Sequence, residues 1–130
     1  MNNNQRIMAV ACAAEAGTGL GLLVVPSLVV GLLLGSGPLG IAIVISRVAG
    51  IALIALAIAC WPDAGATGSA KPYIGMLTYN ALAALVLAQV GLAGATSGIL
   101  LWPVALLHLI LAVLLAWAWS DERRARATQG

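Results

Sequence analysis

Within long apolar runs this chain carries Glu15, Arg47 and His108, joined by Ser46, Tyr79, Asn80 and Gln89. A charged side chain at mid-membrane costs roughly 2.5–3.5 kcal/mol on insertion scales, so such residues are expected to face a bundle interior and find partners there. Three chemistries are open to them. Glu15, Arg47, Tyr79, Asn80 and His108 could form a structural network of ion pairs and hydrogen bonds that pins the register of neighbouring helices. Glu15 could instead take up and release a proton, or hold a cation. His108 could ligate haem or a metal, but no second histidine is present to complete an axial pair. A serine–histidine–acid set and a phosphate loop are both missing, so an enzyme is not expected. Cys12 and Cys60 lack CxxC spacing. They are expected to be buried small hydrophobes rather than metal ligands or a disulfide.

The elements that must position these residues follow from composition. Of 130 residues, 62% are hydrophobic and 8% charged, and the mean hydropathy is +1.07. A soluble domain carries roughly 25% charge, so a water-soluble globular protein and a disordered chain are both excluded. A hydrocarbon core of about 30 Å takes roughly 20 apolar residues in helix. Four stretches qualify: about 7–34, 39–61, 73–93 and 99–119. Gly35-Ser36-Gly37-Pro38, the polar stretch from Pro62 to Pro72, and Gly94-Ala95-Thr96-Ser97-Gly98 separate them. Links this short place successive helices antiparallel. The expected fold is all-α: a single polytopic membrane domain over 1–130, an antiparallel four-transmembrane-helix bundle. Its first helix is kinked at Pro26, which removes a backbone donor and clashes with the preceding turn.

Charge orients the bundle. Arg6, Lys71, Arg123, Arg124 and Arg126 all fall on one side of the four-span arrangement, and the opposite loops carry no charge. By the positive-inside rule both termini are expected in the cytoplasm of a bacterial inner (plasma) membrane protein, with Trp61, Tyr73, Trp117 and Trp119 at the inner interface and Trp102 at the outer. The arginine tail beside Asp121 and Glu122 is a topology anchor, and no nucleic-acid partner is expected.

Counting along the helices puts Glu15 and Asn80 in one layer, with His108 between Glu15 and Arg47, and a Glu15–Arg47 pair within reach of the long arginine stem. Small residues recur every four positions at Ala9, Ala13, Gly17 and Gly21, at Ser46 and Gly50, and at Ala84 and Ala88. Such spacing lets helices approach closely, so Gly17, Gly21 and Gly50 are expected at helix contacts.

Two resemblances follow from these residues. Glu15 within Ala13-Ala14-Glu15-Ala16-Gly17 resembles the membrane-embedded glutamate of small multidrug resistance transporters. The third span, Leu77-Thr78-Tyr79-Asn80-Ala81-Leu82, departs from that family's glycine-rich dimerisation helix, and the one-sided charge departs from its dual topology. Over most of its length the chain is similar to small bacterial four-helix membrane proteins of DoxX-like type. The likeness lies in Gly21-Leu22-Leu23-Val24-Val25-Pro26, in Arg47-Val48-Ala49-Gly50-Ile51-Ala52-Leu53, and in Leu101-Trp102-Pro103 followed by His108. It implies an accessory subunit of a respiratory or redox membrane complex linked to quinone chemistry, with no catalytic residue carried over; no cofactor, quinone or haem, is expected in the chain itself.

The expected function is therefore a non-catalytic accessory or interaction subunit of a larger membrane assembly, in contact with the lipid bilayer and with other subunits or copies of itself. The alternative is a proton-coupled small-molecule carrier or channel that works as a homo-oligomer through Glu15.

Overall fold

A computed structural model of the chain describes residues 1–62, 70–94 and 98–128. Among them every regular element is helical: α1 (Asn3–Val24), α2 (Pro26–Leu34), α3 (Ile41–Ala59), α4 (Lys71–Ala93) and α5 (Leu101–Ala127). The four long helices α1, α3, α4 and α5 are each long and apolar enough to cross a bilayer. The expected links over 63–69 and 95–97 lie outside the described residues.

Local chemistry sets the helix ends. Asn2 and Gln5 form a capping box, Asn2 Oδ1 accepting from the Gln5 N–H at 2.8 Å and Gln5 Oε1 accepting from the Asn2 N–H at 3.0 Å. These bonds satisfy amide donors that the first turn leaves open, so α1 starts ahead of Ile7. Its end is set by Pro26. Val25 leaves the helical region at φ −130° and ψ 57°, and Pro26 opens α2 as its first residue, the position where a missing N–H costs nothing. The expected kink is thus a one-residue break between two helices. Glycines in the left-handed region close α2 (Gly35, φ 81°) and α4 (Gly94, φ 68°). At the other extreme α5 continues past Trp119, the expected end of the fourth span. The tail residues Glu122, Arg123, Arg124 and Ala125 are good helix formers, and two tail carboxylates are anchored to other helices.

Those anchors define the end of the bundle that holds both termini. The Asn4 amide donates to Asp121 Oδ2 at 3.1 Å, tying α1 to α5. The Tyr73 hydroxyl donates to Glu122 Oε1 at 2.7 Å, tying α4 to α5. Arg123 stacks 5.1 Å over the Trp119 ring. Above this layer Met8, Cys12, Ala57, Cys60, Tyr73, Met76, Leu111 and Leu115 form a continuous apolar core, with both cysteines buried in it.

Packing is pairwise and antiparallel: α1 lies on α3, α4 on α5, and α1 against α5 joins the pairs. The α1–α3 crossing is glycine on glycine. A Cβ on Gly19 would stand 2.7 Å from the Gly50 carbonyl oxygen, and one on Gly50 would stand 2.5 Å from the Gly19 oxygen. At the end away from the termini, the N–H groups of Gly98 and Leu100 donate to the carbonyls of Leu33 and Leu32, each at 2.9 Å. Carbonyls in the last turn of α2, which lack helical partners, are capped in this way by the entry to α5. A Cβ on Gly98 would overlap the Leu32 backbone, so only glycine fits there.

The packing expectation from small-residue spacing is corrected here. Gly50 is at the crossing as expected, and Gly21 faces α2, where a Cβ would stand 2.9 Å from Val29 Cγ2. Gly17 is exposed and touches nothing within 4 Å, and Ala13 is exposed too. The buried stripe of α1 is Asn4, Met8, Ala11, Cys12, Glu15 and Gly19. Two polar residues sit on that face, which is why a reading based on small side chains alone selected the wrong one.

Most of the surface is apolar. Val44, Ile45, Val48 and Ile51 on α3, and Leu106, Leu109, Ile110 and Val113 on α5, are all exposed. In water that would be an aggregating surface; in a bilayer it is the normal lipid contact. The chain is a multi-pass helical membrane protein.

Candidate functional site

Three of the seven polar residues singled out in the spans are sequestered together. Glu15 on α1 is 1% exposed, Asn80 on α4 is 0% exposed and His108 on α5 is 7% exposed. Tyr79, half-buried on α4, meets His108 edge to face with ring centroids 5.8 Å apart. Three helices therefore converge on one polar cluster, just beyond the sulfur-rich core as seen from the termini.

Asn80 organises it. Its side-chain N–H donates to the Met76 carbonyl one turn back at 3.0 Å, and its Oδ1 lies 2.9 Å from His108 Nδ1. An amide oxygen only accepts, so the proton of a neutral His108 sits on Nδ1, and the lone pair is on Nε2. Turning the amide over would set its oxygen against the Met76 carbonyl, two acceptors facing each other. The Asn80 orientation, and through it the histidine tautomer, is fixed by backbone geometry.

Glu15 is held differently. His108 Nδ1 lies 3.7 Å from Glu15 Oε1, close enough for charge–charge interaction and too long for a hydrogen bond. Tyr79 and Asn80 stand beside the carboxyl group, yet neither of its oxygens has a donor in hydrogen-bonding geometry. Buried carboxylates normally accept several such bonds, and leaving one without them is expensive. With carboxyl and imidazole both neutral, or both ionised, the cluster carries zero net charge, which a low-dielectric interior favours over one uncompensated charge.

Arg47 does not join. It is exposed on α3, and among the described residues it makes no hydrogen bond or ion pair. The reason is axial offset. Gly19 and Gly50 are level at the crossing; Glu15 lies four residues from it toward the termini, and Arg47 three residues from it the opposite way. Antiparallel helices put these positions about 10 Å apart along the axis. The Glu15–Arg47 pair that the arginine's reach left open does not form, and His108 is the ionisable group beside Glu15. Ser46 bonds its own helix, donating to the Ala42 carbonyl at 2.8 Å, and Gln89 is exposed.

An apolar groove of about 390 Å³ runs beside the cluster between α4 and α5, lined by Ala81, Ala84, Ala88, Trp102, Ala105 and Leu109. Ala84 is one turn beyond Asn80, and Ala105 and Leu109 flank His108, so the groove and the polar cluster occupy adjacent turns of the same two helices. Sequence reasoning named the polar residues and missed the groove; the signal was the pairing of alanines on α4 with Ala105 on the facing helix.

Fold and site together define a class, the small polytopic membrane protein with a buried ionisable pair. Comparison with family models, curated proteins and solved structures finds no match to any of them.

Proposed function

We propose that this protein is a proton-coupled carrier or channel for a small lipophilic molecule, with Glu15 and His108 as the proton-binding pair. The observation that carries the reading is Glu15 itself: a carboxyl group 1% exposed, 3.7 Å from an imidazole nitrogen, with Tyr79 and Asn80 beside it but no donor in good hydrogen-bond geometry to either oxygen. A residue serving only to pin helices would use its oxygens in hydrogen bonds. The adjacent apolar groove supports a lipophilic cargo, since its volume lies in the range of small-molecule pockets and its walls offer little for a polar ligand. The reading places both termini in the cytoplasm of a bacterial inner membrane, on the one-sided charge, and has copies of the chain assembling into a homo-oligomer, because one thin bundle encloses little volume.

The test is proton exchange in the reconstituted protein. Infrared difference spectra between acidic and alkaline buffer are expected to contain a carboxyl C=O band that disappears in Glu15→Gln, while the variant keeps its helical content and melting behaviour. Proteoliposomes with an entrapped pH dye are expected to lose their protein-dependent proton flux in the same variant. If Glu15→Gln unfolds, or the band is absent from the wild type, the pair is structural.

The second reading, an accessory subunit of a larger redox assembly as the DoxX-like resemblance implies, is favoured by the wide apolar faces that α3 and α5 turn outward. Native mass spectrometry of protein extracted mildly from its host membrane separates the two. Stoichiometric foreign chains, or an absorbance from bound haem or quinone, support the subunit; a bare homo-oligomer supports the carrier.

A further inference from the structure

Arg47 is a permanent cation inside a helix of 19 residues with no other charge. It is exposed, and among the described residues it has neither an ion pair nor a hydrogen bond. Guanidinium does not lose its proton in proteins, so it cannot escape the cost of a lipid surrounding by becoming neutral. Its partner must come from outside the chain.

A second copy of this chain does not supply one. Its four acidic residues are Glu15, Asp63, Asp121 and Glu122. Glu15 is sealed in the core; Asp121 and Glu122 are engaged at the end of the bundle that holds the termini. Asp63 comes four residues after Ala59 in sequence and lies outside the described residues. In a copy inserted the same way round, the three acidic residues among the described ones are buried or at the end away from Arg47.

Bilayer geometry supplies the partner instead. Arg47 is six residues beyond Ile41, where α3 begins, which is about 9 Å along the axis. Side chains on a helix lean toward its N-terminus, and an arginine stem can cover most of that distance, so the near membrane surface is within reach of the guanidinium. Val44, Ile45, Val48 and Ile51 around it are exposed and apolar, a surface for acyl chains. The planar fork matches two oxygens of one phosphate.

We infer that Arg47 is a lipid site, holding the phosphate diester of a bilayer phospholipid in the leaflet away from the termini, with its acyl chains along the Val44–Ile51 face of α3. The site is independent of the Glu15 reading. It is tested by native mass spectrometry of delipidated protein titrated with phosphatidylglycerol. The wild type is expected to show a first lipid adduct at least tenfold tighter than that of Arg47→Gln, with Arg47→Lys between them because it keeps the charge and loses the fork. Arg123→Gln, at the other end, is expected to bind as the wild type does. Equal binding by wild type and Arg47→Gln overturns the site, as does a wild type without a tight first adduct. Displacement of the adduct by inorganic phosphate at matched concentration would show that the anion and not the lipid is recognised, which also overturns it. A co-purifying foreign chain that is lost in Arg47→Gln would make the partner a protein and has the same consequence.

Discussion

Asn80 Oδ1 lies 2.9 Å from His108 Nδ1, and because the Asn80 amide nitrogen is committed to the Met76 carbonyl at 3.0 Å, this contact dictates where the imidazole proton sits. One residue on α4 thereby sets the chemistry of another on α5. The free lone pair of His108 is on Nε2, and a second proton arriving at the cluster has that nitrogen and the Glu15 carboxyl as its destinations.

The tautomer is directly measurable, since His108 is the only histidine in the chain. Nitrogen NMR of histidine-labelled protein at alkaline pH is expected to show a protonated Nδ1 and a bare Nε2. Asn80→Ala is expected to mix the two tautomers and to cost about 1–3 kcal/mol, the range for leaving a buried donor unpaired. A wild-type spectrum of the Nε2–H form would refute the assignment.

Glu15→Gln separates a titrating carboxyl from a structural one by stability alone. Neither oxygen has a donor in good hydrogen-bond geometry, and Tyr79 and Asn80, which stand beside the carboxyl group, can reach the amide oxygen of glutamine as well. The expected change in unfolding free energy in detergent is within about 1 kcal/mol. Breaking an obligatory buried ion pair would cost roughly 3–5 kcal/mol, so the two roles differ by more than the error of a denaturation curve.

Much of the architecture was legible because its causes are one-dimensional. The spans follow from apolar run lengths, the α1–α2 break from Pro26, and the helix stops from Gly35 and Gly94. Polar residues in those runs announced themselves, and Glu15, Asn80 and His108 do converge. What remained hidden depended on rotation and axial offset. Charge and the length of the arginine stem left a Glu15–Arg47 pair open, but a difference of about 10 Å along antiparallel helices rules it out. Gly17 and Gly19 are equally small, and only the direction each faces decides that Gly19 meets Gly50. Asn4 and Asp121, 117 residues apart in sequence, left no local signal at all.

The glycine crossing gives a test with its own control. Gly50→Ala would put a methyl group 2.5 Å from the Gly19 carbonyl oxygen and 2.9 Å from the Leu23 nitrogen. Both obstacles are backbone, so the helices must separate, and the expected loss is about 1–3 kcal/mol. Gly17→Ala meets nothing within 4 Å and is expected to leave stability within about 0.5 kcal/mol or to raise it slightly through helix propensity. Thermal unfolding of both variants in one detergent decides the matter; equal losses would mean that the crossing lies elsewhere.

The tail of α5 is expected to behave as part of the bundle and not as a frayed end. Tyr73 donates to Glu122 at 2.7 Å and Asn4 to Asp121 at 3.1 Å, so one helix extension clamps both α4 and α1. Hydrogen bonds to charged groups contribute about 1.5–3 kcal/mol, more than a free helix end needs to stay wound. Amide hydrogen exchange over 119–124 is expected to be slow in the wild type and at least tenfold faster in Tyr73→Phe combined with Asn4→Ala, with the mid-membrane helices unaffected. Tyr73→Phe alone removes only the hydroxyl while keeping the buried ring, so acceleration confined to the tail in that variant assigns the effect to the bond and not to core packing. Fast exchange in the wild type would mean that the carboxylates prefer water to their partners.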